Sequence, residues 1–219
     1  MSSDADSLTA LAVIARELRS PLLGIRGIAR VLAETTVTME RRAALAAAVA
    51  EEATLLLQRL DDLVSTGALA SGQASVAPRP VDVSDVVRRV YERMVAAGVD
   101  EGRLDVSIAL WLGRVYVDPD ALDRILWNLL DNAIRHGTGV THLQVRRDAG
   151  MVVLRVVDEG PGFPDSLNGA AVEPFVSGPG GGAGIGLTLV QGLVDAHGGQ
   201  LELGKAEGGG AAVTVRLPG

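Results

Sequence analysis

The chain contains no cysteine and few aromatic residues. The absence of cysteine excludes disulfides, thiolate metal sites and a cysteine nucleophile, and it fits a reducing compartment such as the cytoplasm. Aromatic residues make up 3% of the 219 residues, whereas hydrophobic residues make up 47%, so we expect a core built mainly from Leu, Val, Ile and Ala. This length allows one large domain or two modest ones.

Long hydrophobic runs and an excess of positive charge are also missing. No segment approaches the roughly 18 uninterrupted apolar residues of a membrane span, and the polar, acidic start does not resemble a signal peptide. The formal net charge of -7 argues against a nucleic-acid-binding surface as the main function. We therefore expect a cytoplasmic protein without a membrane span in this chain and without a nucleic-acid partner.

Apolar residues recur every three or four positions in the first third of the chain, which is typical of helices packed against helices. One helix is predicted over Leu8–Leu32 with a kink at Pro21, and a second from a cap at Thr36 or Thr38 to about Ala70. Together they form a helical hairpin. Its remaining apolar faces predict a homodimeric four-helix bundle, the alternative being a hairpin packed on its own C-terminal domain.

A linker separates this hairpin from the rest of the chain. Small polar residues followed by Pro78 and Pro80 predict a boundary between a domain of residues 1–72 and a domain of residues 73–219. The second domain mixes strands with helices, which predicts an α/β sandwich with the helices on one face, and an α+β class for the whole chain. Its predicted helices are Val83–Ala97, Asp118–His136 and Gly184–Ala196, and its predicted strands are Arg103–Leu110, Arg114–Val117, Thr141–Arg147, Met151–Asp158, Gln200–Leu203 and Ala211–Leu217.

Two asparagines lie one turn apart in an apolar helix of the second domain. Asn128 and Asn132 share one face of this helix, and Arg135 and His136 follow at its end. An amide oxygen is a neutral ligand for a Mg²⁺ ion held otherwise by phosphate oxygens and water. The alternative interpretation is a pair of core amides with ordinary hydrogen-bond partners.

A carboxylate, Asp158, ends the strand predicted at Met151–Asp158. Asp158 precedes Gly160 and Gly162, and these glycines allow a ligand to approach the backbone closely. The carboxylate can accept a hydrogen bond from an exocyclic amine such as that of adenine. The alternative is an ordinary turn.

A glycine-rich segment, Gly178–Gly186, directly precedes the last predicted helix. Its backbone amides and the helix N-terminus suit a phosphate group, and its glycine density predicts a lid over residues 176–183. The segment is not a Walker loop, because no Gly-Lys-Ser/Thr follows, and it is a poor dinucleotide fingerprint. A flexible loop without a ligand is the alternative.

In this order and spacing, the motifs resemble the catalytic ATP-binding domain of sensor histidine kinases, a Bergerat-type (GHKL) ATPase. The resemblance covers the N-box Asn128–His136, the G1-box Asp158–Gly162, the F-box Glu173–Phe175 and the G2-box Gly182–Leu187, and residues 8–70 are similar to the family's dimerisation and phosphoacceptor hairpin. It implies that the chain binds ATP with Mg²⁺ on Asn132 and Asn128. The positions it assigns to the nucleotide are Asn128, Asn132, Arg135, His136, Asp158, Gly160, Gly162, Phe175, Gly182, Gly184, Gly186 and Leu187.

The hairpin departs from the family's pattern at one position. The family's H-box reads His-Glu-Leu-Arg-Thr/Ser-Pro-Leu, whereas Arg16–Leu22 reads Arg-Glu-Leu-Arg-Ser-Pro-Leu. Arginine stands where the family has its phosphoacceptor, and a guanidinium has no free lone pair to attack a γ-phosphate. Glu17, which helps to activate the imidazole in the family, then has nothing to activate.

We therefore expect a histidine-kinase-like protein that binds Mg-ATP but does not autophosphorylate at its own H-box, acting in trans or as a degenerate kinase. The alternative is a pseudokinase scaffold that docks a response regulator or a partner kinase, with nucleotide acting only as a conformational ligand. A different Bergerat ATPase, such as an anti-sigma-type Ser/Thr kinase, is disfavoured by the hairpin and by the intact residues after position 16.

Overall fold

The structure is a computed structural model, and it describes residues 15, 18–19, 21–34, 37–70, 76–163 and 185–219. Its contacts divide the chain into two compact units, Met1–Val64 and Ser65–Gly219. The predicted boundary between residues 72 and 73 falls in a segment outside the described residues and stays a prediction.

The first unit contains one helix and most of a second, joined by a short connection. Helix α1 covers residues 21–32, with Leu18 and Arg19 also helical, and helix α2 covers Met39–Ala70. The Thr38 hydroxyl accepts a hydrogen bond from the Arg41 amide at 3.3 Å, so Thr38 is the cap that begins α2. No described helix combines the length and hydropathy that a membrane span requires.

The described part of this hairpin leaves much of its apolar surface in solvent. A Cβ on Gly24 of α1 would lie 3.8 Å from Cδ of Glu52 in α2, so the two helices pass close to each other. Leu57 is nevertheless 62% exposed and Val64 is 72% exposed. Leu22, Leu23 and Leu60 are also exposed.

The second unit is a two-layer α/β sandwich. Its strands are β1 (Arg79–Asp82), β2 (Leu104–Ile108), β3 (Arg114–Val117), β4 (Thr141–Asp148), β5 (Met151–Val157), β6 (Gln200–Lys205) and β7 (Ala211–Pro218), and its helices are α3 (Val83–Ala96), α4 (Pro119–His136) and α5 (Ile185–Ala196), with a 3-10 turn at Glu101–Arg103. The large sheet has the order β2-β4-β5-β7-β6, in which β2 and β4 are parallel and all other pairs antiparallel. Strands β1 and β3 form a small antiparallel sheet.

Alternation along the strands decides which face of the large sheet the helices cover. Val145, Leu154 and Val215 lie side by side on the buried face and belong to one core with the apolar stripes of α3, α4 and α5. Gln144 and Arg146 on the opposite face are exposed. The predicted sandwich with its helices on one face is therefore confirmed.

One strand was not predicted, and one predicted strand end was wrong. Strand β1 was not predicted because Pro80 lies within it, but Pro80 occupies a position in a two-stranded edge pair, where a missing amide is tolerated. The strand predicted to reach Leu110 ends at Ile108, where its pairing with β4 ends. Leu110 and Trp111 lie in the following turn and are 94% and 91% exposed.

Candidate functional site

Helix α4 carries the N-box, and local signals explain where it begins. The Asp118 carboxylate accepts hydrogen bonds from the amides of Asp120 at 2.9 Å and Ala121 at 3.2 Å, and Pro119 occupies the first helical position. Apolar residues at helical spacing then bury one face of α4 against the sheet. This packing fixes the rotation of the helix and so decides where its two asparagines lie.

Asn128, Asn132 and the beginning of α5 come together in the structure. Asn128 is buried, and its amide nitrogen donates to the Arg124 carbonyl at 3.0 Å. A Cβ on Gly186 would lie 2.7 Å from Oδ1 of Asn128 and 3.5 Å from Nδ2 of Asn132. The first turn of α5 can therefore approach the two amides closely only because residue 186 is glycine.

Asp158 follows β5 and is held rigidly by backbone amides. It is 8% exposed, and its Oδ1 accepts hydrogen bonds from the amides of Gly160 at 2.7 Å and Ala211 at 3.2 Å. Its own amide donates to the Ala211 carbonyl at 3.0 Å, which ties the end of β5 to the start of β7. The carboxylate is thus buried, oriented and able to recognise a hydrogen-bond donor.

The G1-box glycines are required by close packing. A Cβ on Gly160 would lie 2.8 Å from the His136 carbonyl and 2.9 Å from Oδ1 of Asp158. Gly162 adopts a φ of 75°, and a Cβ there would lie 2.9 Å from the Gly209 carbonyl. These contacts bring the G1-box against the end of α4.

The end of α4 lies next to Asp158. A Cβ on Gly137, the residue after the helix, would lie 2.9 Å from Cβ of Asp158. His136 and Arg135 are both exposed in the last turn. The Arg135 Nε donates to both carboxylate oxygens of Asp131, at 2.8 and 2.7 Å, so its guanidinium is held along the helix surface.

Arg103 is a residue of this region that the sequence did not reveal. Its Nη2 donates to the carbonyls of Ile134 at 3.2 Å and Gly137 at 3.0 Å, and its Nε donates to the Gly139 carbonyl at 3.3 Å. It thereby satisfies carbonyls at the end of α4 and braces the loop after it. A single arginine before a strand carries no sequence signal for such a role.

The predicted site residues fall into two groups. The structure brings Asn128, Asn132 and Gly186 together, and it places Asp158, Gly160 and Gly162 at the end of the same helix; Leu187 follows Gly186 in α5. Arg16, Glu17, Phe175, Gly182 and Gly184 lie outside the described residues. Within the described ranges, no group of three or more His, Cys, Asp or Glu side chains could hold a metal ion.

Amide oxygens beside a helix N-terminus, together with a buried carboxylate at a strand end on a two-layer sandwich, define the class of Bergerat-type ATPases. Residues 117–219 match the family model described as histidine kinase-, DNA gyrase B- and HSP90-like ATPase.

Similar proteins show which members of this class the chain resembles. The alginate biosynthesis sensor protein KinB of Pseudomonas aeruginosa is 34% identical over 212 residues, which cover 92% of this chain and 35% of KinB. The solved structure of full-length ShkA in complex with AMPPNP has a TM-score of 0.66 and 30% identity, over 95% of this chain and 45% of ShkA. The mycobacterial sensor histidine kinase MprB has a TM-score of 0.53 and 31% identity, over 65% of this chain and 98% of that structure.

This chain belongs to the sensor histidine kinase family and carries its ATPase module. It spans 35% of the length of KinB and 44% of the length of ZraS of Salmonella typhi, so it corresponds to less than half of these curated relatives.

Proposed function

We propose that this chain is a histidine-kinase-like two-component signalling protein that binds Mg-ATP and does not autophosphorylate at its own H-box. The observation that carries the proposal is the meeting of Asn128 and Asn132 with the start of α5 at Gly186. A helix N-terminus attracts phosphate, and the neighbouring amide oxygens suit a cation that the phosphates also hold. Buried Asp158 supplies an acceptor for the adenine amine.

The residues present fit the magnesium ion that the family implies. Glycine at position 186 lets the first turn of α5 lie directly beside the two asparagine amides, and Asn132 with Asn128 would hold the ion there. A bound Mg²⁺ supplies neutralisation of charge on the phosphate oxygens. The chain's own residues orient the nucleotide, with Asp158 at the base and the amides of α5 at the phosphates.

The role of Asn132 is tested by nucleotide binding. Asn132→Ala is expected to abolish Mg²⁺-dependent ATP binding, measured by isothermal titration calorimetry, while the far-UV circular dichroism spectrum stays unchanged. Gln144→Ala is the matched control, because Gln144 is an exposed amide on the sheet face opposite the helices. Undiminished Mg²⁺-dependent binding in Asn132→Ala would remove Asn132 from the metal site.

The identity of residue 16 supports the second half of the proposal. A protonated guanidinium cannot accept a phosphoryl group, whereas an imidazole nitrogen can. Arg16→His should therefore take up acid-labile phosphate from γ-labelled ATP, and the natural chain should not. Arg19→His is the control, because it adds a histidine to the same H-box, away from the acceptor position.

The outcome separates the two versions of the proposal. Labelling of Arg16→His alone means that the site transfers phosphate and lacks only its acceptor, as expected of a trans-acting or degenerate kinase. Nucleotide binding without labelling favours the alternative, a pseudokinase scaffold that docks a response regulator or partner kinase. If neither version binds nucleotide, the assignment of the site is wrong.

We further propose that the hairpin forms a homodimer. The exposure of Leu57 and Val64, with Leu22 and Leu23, supports this part of the proposal, because apolar helix faces are stable when a second apolar surface covers them.

A further inference from the structure

Asp118 makes more contacts than its role as the cap of α4 requires. One carboxylate oxygen, Oδ1, accepts the two amides that begin α4. The other, Oδ2, accepts the Ala77 amide at 2.8 Å. The Asp118 amide in turn donates to Nε2 of His197 at 3.1 Å. A single residue therefore joins three segments that are far apart in the chain.

His197 connects this cluster to the end of α5. Its Nδ1 lies 2.7 Å from the Leu193 carbonyl, which can only accept, so Nδ1 carries the hydrogen and Nε2 is free to accept from Asp118. Leu193 is in the last turn of α5 and is buried against the core. The imidazole thus fixes the C-terminus of α5 to the N-terminus of α4.

The same two helices meet again at their other ends, where the candidate nucleotide site lies. Gly186 in the first turn of α5 approaches Asn128 and Asn132 in the second half of α4. Helices α4 and α5 therefore run antiparallel, with Asp118 and His197 at one end of the pair and the phosphate side of the site at the other. A helix transmits displacement along its length because its backbone hydrogen bonds make it stiff.

Ala77 brings the linker into this arrangement. Val76 packs against the core of the ATPase unit, and the Ala77 amide is bonded to Asp118, so the linker is docked where it enters this unit. The residues before it, 71–75, lie outside the described ranges.

We propose that Asp118 is a positioning residue that couples the docked linker at Ala77 to the helix pair carrying the nucleotide site. Linker docking and nucleotide binding then stabilise each other, because both favour one relative placement of α4 and α5. The nucleotide half of this statement rests on the function proposed above.

Asp118→Asn tests the coupling selectively. Asparagine caps helices as well as aspartate, but it has one carbonyl oxygen and so cannot serve both α4 and Ala77. Asp82→Asn is the matched control, because Asp82 caps α3 by accepting from the Ser84 amide at 2.9 Å. Hydrogen exchange of the backbone amides is measured by NMR in both variants and in the natural chain, with and without ADP and Mg²⁺.

Without nucleotide, Asp118→Asn should speed exchange about tenfold at Ala77 and at amides in the first half of α5, such as Leu189. Asp82→Asn should leave both within about twofold of the natural chain. Addition of ADP should slow exchange at Ala77 in the natural chain and have a smaller effect in Asp118→Asn.

Faster exchange at Ala77 alone, with α5 unchanged, would mean that the linker is held without being coupled and would overturn the proposal. Equal exchange in all three proteins would overturn it as well. Failure of ADP to bind the natural chain would instead contradict the proposed function, and the comparison without nucleotide would still decide the coupling.

Discussion

The hairpin and the ATPase unit differ in how far their apolar side chains are buried. In the ATPase unit, Leu126, Leu154 and Val215 are completely buried within one chain, whereas Leu57 and Val64 of the hairpin stand largely in solvent. The two regions also differ in how well their sequence motifs match the family's pattern. The described ATPase motifs match the family's pattern, and the H-box in the hairpin departs from it at Arg16. The described part of the ATPase unit thus covers its own apolar residues, whereas the described part of the hairpin leaves apolar residues exposed.

The largest difference is expected in stability. Leu126→Ala removes a fully buried side chain of α4 and should lower the free energy of unfolding by about 2–5 kcal/mol, measured by urea denaturation. Leu110→Ala, at a residue that is 94% exposed, should change it by less than about 0.5 kcal/mol. Similar losses in the two variants would mean that the turn after β2 is covered in solution.

The second prediction concerns dimerisation, which should depend on an exposed leucine of the hairpin and not on one of the ATPase unit. If a second hairpin covers Leu57, Leu57→Asp should raise the dimer dissociation constant about 10- to 100-fold, measured by sedimentation velocity, because a buried leucine contributes about 1.5–3 kcal/mol. Leu110→Asp, at a leucine of the ATPase unit that is even more exposed than Leu57, is the control and should leave the constant unchanged. A natural chain that stays monomeric at all concentrations would refute the homodimer.

Replacing a helical glycine with alanine should be harmful in the ATPase unit and favourable in the hairpin. Gly186→Ala forces a Cβ against Oδ1 of Asn128 and should weaken nucleotide binding about tenfold, since such overpacking costs about 1–3 kcal/mol. Gly27→Ala in α1 meets nothing within 4 Å and should stabilise the chain by about 0.5–1 kcal/mol. Unchanged affinity in Gly186→Ala, measured by calorimetry, would place the nucleotide elsewhere.

The smallest expected effect is on the loss of stability at acid pH, through the carboxyl group of Asp118. Burial disfavours the charged form of Asp118, but hydrogen bonds from the amides of Ala77, Ala121 and Asp120, together with His197, more than offset it, so the pKa of this carboxyl lies below its ordinary value. Its contribution to stability is complete above the unfolded pKa near about 4 and is lost as the pH falls through the lower folded pKa.

Asp118→Asn should therefore lose less stability than the natural chain between about pH 5 and pH 3, measured by thermal unfolding. Asp82→Asn again serves as the control. An identical acid dependence in the natural chain and Asp118→Asn would contradict the depressed pKa.

Local signals explain how much of the fold was predictable. Helix α4 was predicted nearly to the residue because Asp118, Pro119 and a regular apolar stripe act within a few positions of one another. Strand β1 was missed, because its existence depends on pairing with β3 and because Pro80 within it argues against a strand. The strand predicted to reach Leu110 was too long, because the alternation of apolar residues continues beyond the end of its pairing with β4.

The residues of the candidate site likewise fall into those that the sequence could name and those whose contacts it could not. Asn128, Asn132, Asp158 and the glycines could be named from motif order, because each motif is short and continuous. Arg103 and His197 could not be assigned their contacts, because these join segments that only the folded chain brings together.

The sequence by itself indicated the class of the protein, supplied the candidate residues for a nucleotide site, and showed an arginine at position 16. These are properties of short stretches, in which neighbouring residues carry the whole signal. Only the tertiary structure decided that the start of α5 lies against the asparagines of α4, and that Asp118 ties the linker, α4 and α5 together. Such contacts arise when two helices are pressed onto one sheet, and no local pattern encodes where their ends will meet.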